Sequence, residues 1–363
     1  MEYRRSNNRP ARVLLDRKAF AHNLNRTREL TPRAKVMAVI KADGYGHGME
    51  FAAKSLLAAD EFGVSSLDDI RRLRDAKITQ PLNLLSACLN KAEFESLVEL
   101  DTRPVIYDWQ QVEVLQKIQP AKPLPIWLKV DTGMGRLGFS PLDLPKALDA
   151  LRKLSSIASI SLMSHLANAD TPEHSQNSSQ LDGFRRLQNS ADYAQCSILN
   201  SAGSFAFGEA ANDIIRPGLM LYGVSPLANR VAADLQLEPV MTFVSELISV
   251  KKMSKGSFIG YGSSYQLDTD STIGIVACGY GDGYPRHAPS GTPVVVNGQK
   301  VPLIGRVSMD MIVLDLTQAK AVVGDAVILW GKQNPIEKVA SMASTIAYEL
   351  CCGISNRVER III

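Results

Sequence analysis

Between about residues 17 and 235, short apolar and β-branched runs alternate with amphipathic stretches, and no other feature constrains the fold as much. The runs fall at 36–41 (VMAVIK), 61–65 (EFGVS), 82–86 (LNLLS), 103–107 (RPVIY), 125–130 (PIWLKV), 158–165 (ASISLMSH), 196–199 (CSIL) and 213–216 (DIIR). Helical patterns lie between them at 66–76, 91–99, 109–118, 141–154 and 176–190; the first opens on Ser66 as a cap and carries Leu67, Ile70 and Leu73 on one face. Strands alternating with helices imply a parallel sheet. Eight strands in about 200 residues is the count that closes a (β/α)8 barrel.

After about residue 238 the texture changes. Strand-like runs at 240–251, 273–277, 293–296, 301–304, 311–316 and 326–330 are broken by Gly and Pro turns, and Asn297-Gly298 reads as a two-residue hairpin. A helical pattern returns at 336–350. The expected fold class is α/β: a tail over 1–11, an N-terminal (β/α)8 TIM barrel over 12–237, and a mostly β C-terminal domain over 238–363.

Composition removes several function classes. Forty basic against thirty-seven acidic side chains leave a net charge of +3, too balanced for a protein that binds nucleic acid by neutralising phosphates. No apolar run reaches the roughly 18 residues of a membrane span, and the start lacks the apolar stretch of a signal peptide. The basic positions Arg4, Arg5, Arg9 and Arg12 read as a solvated tail rather than an anion contact. Cys88, Cys196, Cys278, Cys351 and Cys352 are scattered, with no Cys-x-x-Cys, which fits a reducing, cytoplasmic compartment.

Residues able to carry chemistry cluster after strand runs. Lys41 ends VMAVI and opens ADGYGHG, where a barrel's active site lies. An apolar flank there would lower the amine's pKa and make it a nucleophile or base; a surface lysine on a Gly-rich turn fits the same residues. KVDTGMGRLG (129–138) contains Gly133-x-Gly135-x-x-Gly138, formally a dinucleotide fingerprint. It follows a fifth strand rather than a first, and Pro141 and Pro145 bracket the next helix start, so tight turning beside a ligand is the better reading. Lys129 and Arg136 flank that turn and call for an anion. His165 closes the sixth strand, as packing or as catalyst, and His174 beyond it has poor spacing for zinc, so no metal is expected. Asn200-Ser201 and Arg216-Pro217-Gly218 close strands seven and eight, whose loops recurrently hold phosphate. No P-loop and no Gly-x-Ser-x-Gly elbow is present. YGSSY (261–265), GYGDGYPR (279–286) and GRVSMD (305–310) read locally as hairpin turns.

Together, KADGYGHG, GYGDGYPR and GRVSMDM resemble the signatures of alanine racemases, the fold-type III enzymes that use pyridoxal 5′-phosphate. The resemblance runs from about residue 12 to 360, with Gly44 where Ala is commoner. It implies a homodimer in which the β domain contributes to the partner's active site. By that resemblance Lys41 holds the cofactor as an internal aldimine and works as base or acid on one face of Cα. Tyr261 from the second chain works on the other face, so the proton leaves one side and returns to the opposite one. His165 would tune Tyr261, and Arg216 would face the pyridine nitrogen and keep it unprotonated. Tyr45, Asn200, Ser201, Gly218 and Leu219 would serve the phosphate. Arg136, Met309 through its amide, Asp310 and Asn356 would serve the substrate, and Lys129 matches a position that is N-carboxylated in many relatives.

The implied reaction interconverts L- and D-alanine. Two departures stand out: Ser308 where some relatives have Cys, and Asn356 where many have Tyr. The second enlarges and polarises the pocket, which leaves a serine or broad-specificity racemase as the alternative. A non-catalytic carrier of pyridoxal phosphate is a further reading that the appended β domain disfavours.

Overall fold

The structure, a computed structural model, describes residues 9–86 and 90–363. Arg4, Arg5 and Cys88 therefore lie outside the described residues. The chain divides into two compact units, one of Ala21–Leu221 with Pro226–Asn229, the other of the segment up to Phe20 with Tyr222–Ser225 and Arg230–Ile363.

The first unit is an eight-stranded parallel sheet with helices between its strands. All eight expected strands are present, at Lys35–Val39, Glu61–Val64, Leu82–Leu84, Thr102–Ile106, Leu124–Lys129, Ile157–Met163, Cys196–Ser197 and Ile214–Ile215. Each pairs with its neighbour in chain order, and Lys35–Val39 also pairs with Ile214–Ile215. The remaining seam is stitched where the Arg216 N–H donates to the Leu199 carbonyl at 2.9 Å and the Ser197 hydroxyl to the Ile214 carbonyl at 2.7 Å. The ring is thereby nearly closed. Met37, Val105, Trp127, Met163 and Ile214 fill one part of the core.

Local chemistry explains the helices. Ser66 accepts the Asp69 N–H at 3.0 Å, and Asn90 and Glu93 form a reciprocal capping box before Lys91–Glu99. The helix expected over 141–154 is shorter, Leu144–Arg152, because Pro145 fits only in a first turn. Three helices without a clear sequence signal are added at Arg17–Leu30, Met49–Ser55 and Ser201–Ala206.

In the second unit, six antiparallel strands close on themselves. The 13-residue strand Met241–Met253 pairs with Ala326–Trp330 along its first half and with Ser271–Val276 along its second, shifting register between Leu247 and Ser249. Ile312–Asp315, Gln299–Ile304 and Pro293–Val296 complete the ring. Asn297 and Gly298 both take positive φ, 49° and 76°, as the expected hairpin turn requires.

One boundary changes. Arg12–Leu15, expected to fall within the barrel span 12–237, is a strand of the second unit, antiparallel to Met241–Met253 and parallel to Glu359–Ile362. The solvated tail is corrected with it: Arg12 is buried and paired with Glu246 at 3.0 Å, and Arg9 is paired with Asp282 at 2.6 Å.

Candidate active site

Strand Lys35–Val39 runs into Lys41, and there the backbone reverses hand. Ala42, Asp43, Gly44, Tyr45 and Gly46 all have positive φ, from 50° to 77°. Such a left-handed turn costs roughly 1 kcal/mol or more per non-glycine residue. It is held by the Gly44 N–H to the Ile40 carbonyl, the Gly48 N–H to the Asp43 carbonyl and the Met49 N–H to Asp43 Oδ1. Lys41 itself is exposed in the chain taken alone.

Desolvation is pronounced at Lys129, the last residue of Leu124–Lys129. Burial, then the charges of Arg216, Arg136 and Lys41, pull its ammonium down to about 8. Asp131 orders the following loop by accepting N–H groups from Gly133, Met134 and Arg136 at 2.7–2.9 Å. A Cβ on Gly138 would lie 2.6 Å from the Asp131 nitrogen, so glycine is required for the chain to fold back on Lys129. The glycines here bend a loop; the next helix begins only at Leu144, away from the motif. Lys129, Asp131, Arg136 and His165 line one cleft.

Arg216 is buried among acceptors: the Ser197 hydroxyl, the Ser164 and Ile198 carbonyls, and His165 Nδ1 at 3.3 Å. These bonds use Nη1 and Nη2 and leave Nε. Burial lowers its pKa to about 10, which keeps it cationic near neutrality. A guanidinium only donates, so Nδ1 of His165 is an acceptor and the ring proton sits on Nε2. Burial and the charges of Arg216, Lys129, Arg136 and Lys41 push His165 well below its usual range, which fixes it as neutral imidazole.

A cradle lies after the seventh and eighth strands. Asn200 caps Ser201–Ala206 by accepting the Gly203 N–H at 2.9 Å. The Ser201 hydroxyl oxygen accepts the Gly218 N–H at 2.8 Å and the Met220 N–H at 3.4 Å, so its own proton remains to be donated. A Cβ on Gly218 would sit 2.3 Å from the Tyr45 hydroxyl oxygen; only glycine lets the phenol lie there. Leu219 is buried next to it.

The expected site residues thus form two sets. Lys41, Tyr45, Lys129, Arg136, His165, Asn200, Ser201, Arg216, Gly218 and Leu219 share the strand ends and following loops of the barrel unit. Tyr261, Met309, Asp310 and Asn356 belong to the second unit. Tyr261 stands on a turn flanked by Gly260 and Gly262, both at φ 70°, is 69% exposed, and its hydroxyl makes no hydrogen bond among the described residues. Met309 is 53% exposed, Asp310 pairs with Arg357 at 2.8 Å, and Asn356 lies in an exposed turn. Sequence reading missed Ser164 and Ser197, which fix Arg216, and Asp131, which fixes the loop of Arg136. Only Asp131 had a signal, an Asp two residues before a glycine.

Residues 15–226 match the family model described as alanine racemase, N-terminal domain, and residues 240–362 the one described as alanine racemase, C-terminal domain. The chain belongs to the alanine racemase family. An alanine racemase of Nitrosococcus oceani is 46% identical over 350 residues, covering 96% of this chain and 98% of its own length. The biosynthetic alanine racemase of Pseudomonas aeruginosa superposes with a TM-score of 0.95 at 38% identity, covering 98% of this chain and 99% of that one. The alanine racemase of Bartonella henselae, solved with covalently bound pyridoxal phosphate, gives 0.86 at 29% identity, with 98% and 99% covered. Membership in the alanine racemase family overturns the dinucleotide reading of the Gly133–Gly138 spacing. The serine alternative raised by Asn356 is not favoured, since relatives matching over the full length carry the alanine name. Among the described residues no helix is long and apolar enough to cross a membrane.

Proposed function

We infer that the chain interconverts L- and D-alanine with pyridoxal 5′-phosphate on the barrel, as a homodimer in which each chain lends the other its exposed phenol. The residues present suit that cofactor. Ser201 has a hydroxyl proton to give a phosphate oxygen, Gly218 and Tyr45 form a cradle that a Cβ would fill, and Arg216 has Nε left for a ring nitrogen. Covalently bound pyridoxal phosphate in the Bartonella henselae relative supports the same reading. When bound, the cofactor withdraws electrons from the substrate Cα and makes its proton removable.

Each residue then has a physical task. The Lys41 amine would hold the cofactor and would carry the proton on one face of the substrate Cα. Tyr261 of the partner subunit carries it on the other. Neutral His165, with its proton on Nε2, is a donor suited to that phenol oxygen. Arg216 stays cationic and would be a donor toward a ring nitrogen of the cofactor, which would keep that nitrogen unprotonated. Arg136 and the Met309 amide hold the substrate carboxylate, with Asp310 and Asn356 beside it. Lys129 serves Arg136 as a carbamate. Buried free thiols at Cys196, Cys278 and Cys351 support a cytoplasmic setting.

The observation that carries the reading is Tyr261: a phenol held on a glycine-flanked turn, exposed and with no hydrogen bond of its own among the described residues. Polarimetry of alanine on the cofactor-loaded protein tests it. Tyr261→Phe is expected to lower racemisation by about a hundredfold or more, the usual worth of one positioned acid–base group. Undiminished turnover in that variant, or faster turnover of serine than alanine by the parent protein, would overturn it.

A further inference from the structure

The GYGDG run, which reads locally as a hairpin, does something else in the fold. Its turn docks on the Met309 loop: the Tyr280 N–H donates to the Ser308 carbonyl at 3.0 Å and the Gly281 N–H to the Met309 carbonyl at 2.8 Å. Close approach requires the glycines. A Cβ on Gly279 would lie 2.2 Å from the Ser308 oxygen, and one on Gly281 would lie 2.4 Å from Arg357 Nη2. In a trans peptide the C=O and N–H point opposite ways. Because the Ser308 carbonyl faces the turn, the N–H of Met309 faces away from it, and it donates to no group among the described residues.

Behind the loop stands Asp282, whose side chain is completely buried. It accepts the Gly279 N–H at 2.9 Å, Arg357 Nε at 2.8 Å, and Arg9 through Nε at 3.1 Å and Nη2 at 2.6 Å. Both arginines continue to the Met309 loop. Arg357 Nη2 reaches Asp310 Oδ1 at 2.8 Å and the Met309 carbonyl at 3.3 Å, and Arg9 Nη1 lies 3.6 Å from Asp310 Oδ1. The two forked cations thus tie the Met309 carbonyl and the Asp310 side chain to one buried carboxylate, and the same carboxylate anchors through the Gly279 N–H the turn whose Tyr280 N–H holds the Ser308 carbonyl; lysine could not reproduce the fork.

We propose that Asp282, clamped between Arg9 and Arg357, is the positioning residue for the loop that presents the Met309 amide to the substrate carboxylate. This rests on the racemase reading above. Asp282 is completely buried and acts through the loop it holds, so the expected effect is on carboxylate binding, which both alanine enantiomers share.

The test uses cofactor-loaded dimer and two probes, alanine of each hand and propionate, which keeps the carboxylate and methyl but lacks the amine. Asp282→Asn is expected to raise KM for both enantiomers, and the inhibition constant of propionate, together by about tenfold while kcat changes by less than about threefold. Arg9→Gln leaves the Asp282–Arg357 pair in place and is expected to shift the same two constants by about threefold. Unchanged KM and propionate inhibition in Asp282→Asn, or a loss confined to kcat or to cofactor absorbance, would overturn the proposal. Should Asp282→Asn fail to fold, Arg9→Gln decides: constants equal to those of the parent protein overturn it. A parent protein that neither racemises alanine nor is competed by propionate removes the underlying racemase reading instead, and this inference with it.

Discussion

Burial and the neighbouring cations Arg216, Arg136 and Lys41 pull the Lys129 ammonium down to about 8. At pH 7 roughly a tenth of such amines are neutral, against well under a thousandth for an exposed lysine. The neutral amine is the nucleophile. Its addition to carbon dioxide makes one N–C bond, releases one proton and leaves a carbamate anion, which replaces a cation facing Arg136 with an acceptor. Since the native pKa lies below the ordinary one, the reactive form gains population as pH climbs through 8 and is lost as pH falls. Protein held in isotope-labelled bicarbonate is expected to show a carbamate carbon resonance that strengthens between about pH 7 and pH 9 and is missing from Lys129→Arg. A spectrum without that resonance throughout the range would sink the assignment. At this scale the place of the proposed groups in the fold is legible, because Lys41, Lys129, His165 and Arg216 each end or follow an apolar run and stand at or just after a strand of the barrel unit. Their supports are not: Ser197 holds Arg216 from a strand of two residues, and nothing local marks it.

The left-handed turn at 42–46, directly after Lys41, costs conformational energy, and Asp43 is the residue that offsets it. Its carbonyl takes the Gly48 N–H at 2.9 Å, while Oδ1 takes the Met49 N–H and Arg72 Nη2, both at 3.2 Å. Asn tolerates positive φ and keeps the acceptor, whereas Ala keeps neither advantage. Asp43→Asn is therefore expected to unfold near the parent protein in urea, and Asp43→Ala to lose about 1–2 kcal/mol. Coincident curves for the two variants would remove Asp43 from this role. Elements with a local pattern are legible in the sequence, as the eight barrel strands and the Asn297-Gly298 hairpin show. Where hand or a break depends on one residue's backbone, pattern fails. The single helical stretch over 336–350 divides into Ile336–Met342 and Ala347–Cys352 around Ser344 at φ 53°, and ADGYG looks like any Gly-rich turn.

At the scale of the whole molecule, the chain's beginning belongs to its end. Val13 faces Phe243 on one side and Arg360 on the other, so Arg12–Leu15 lies between strands more than two hundred positions away. RVLL has no local partner, and pairing at that separation leaves no trace in periodicity, which is why the barrel's expected span starts at residue 12. Val13 and Leu15 are fully buried on one face. Deleting residues 1–15 would open an edge on Met241–Met253, strip Glu359–Ile362 of its partner, and take Arg12 from Glu246 and Arg9 from Asp282. None of the eight parallel strands is touched by that deletion. Limited proteolysis read by mass spectrometry is expected to show the C-terminal unit newly cleaved while a fragment near 21–221 persists. Resistance of the C-terminal unit equal to that of the full chain would mean the strand is dispensable, and simultaneous digestion of both halves would mean the barrel does not stand without it.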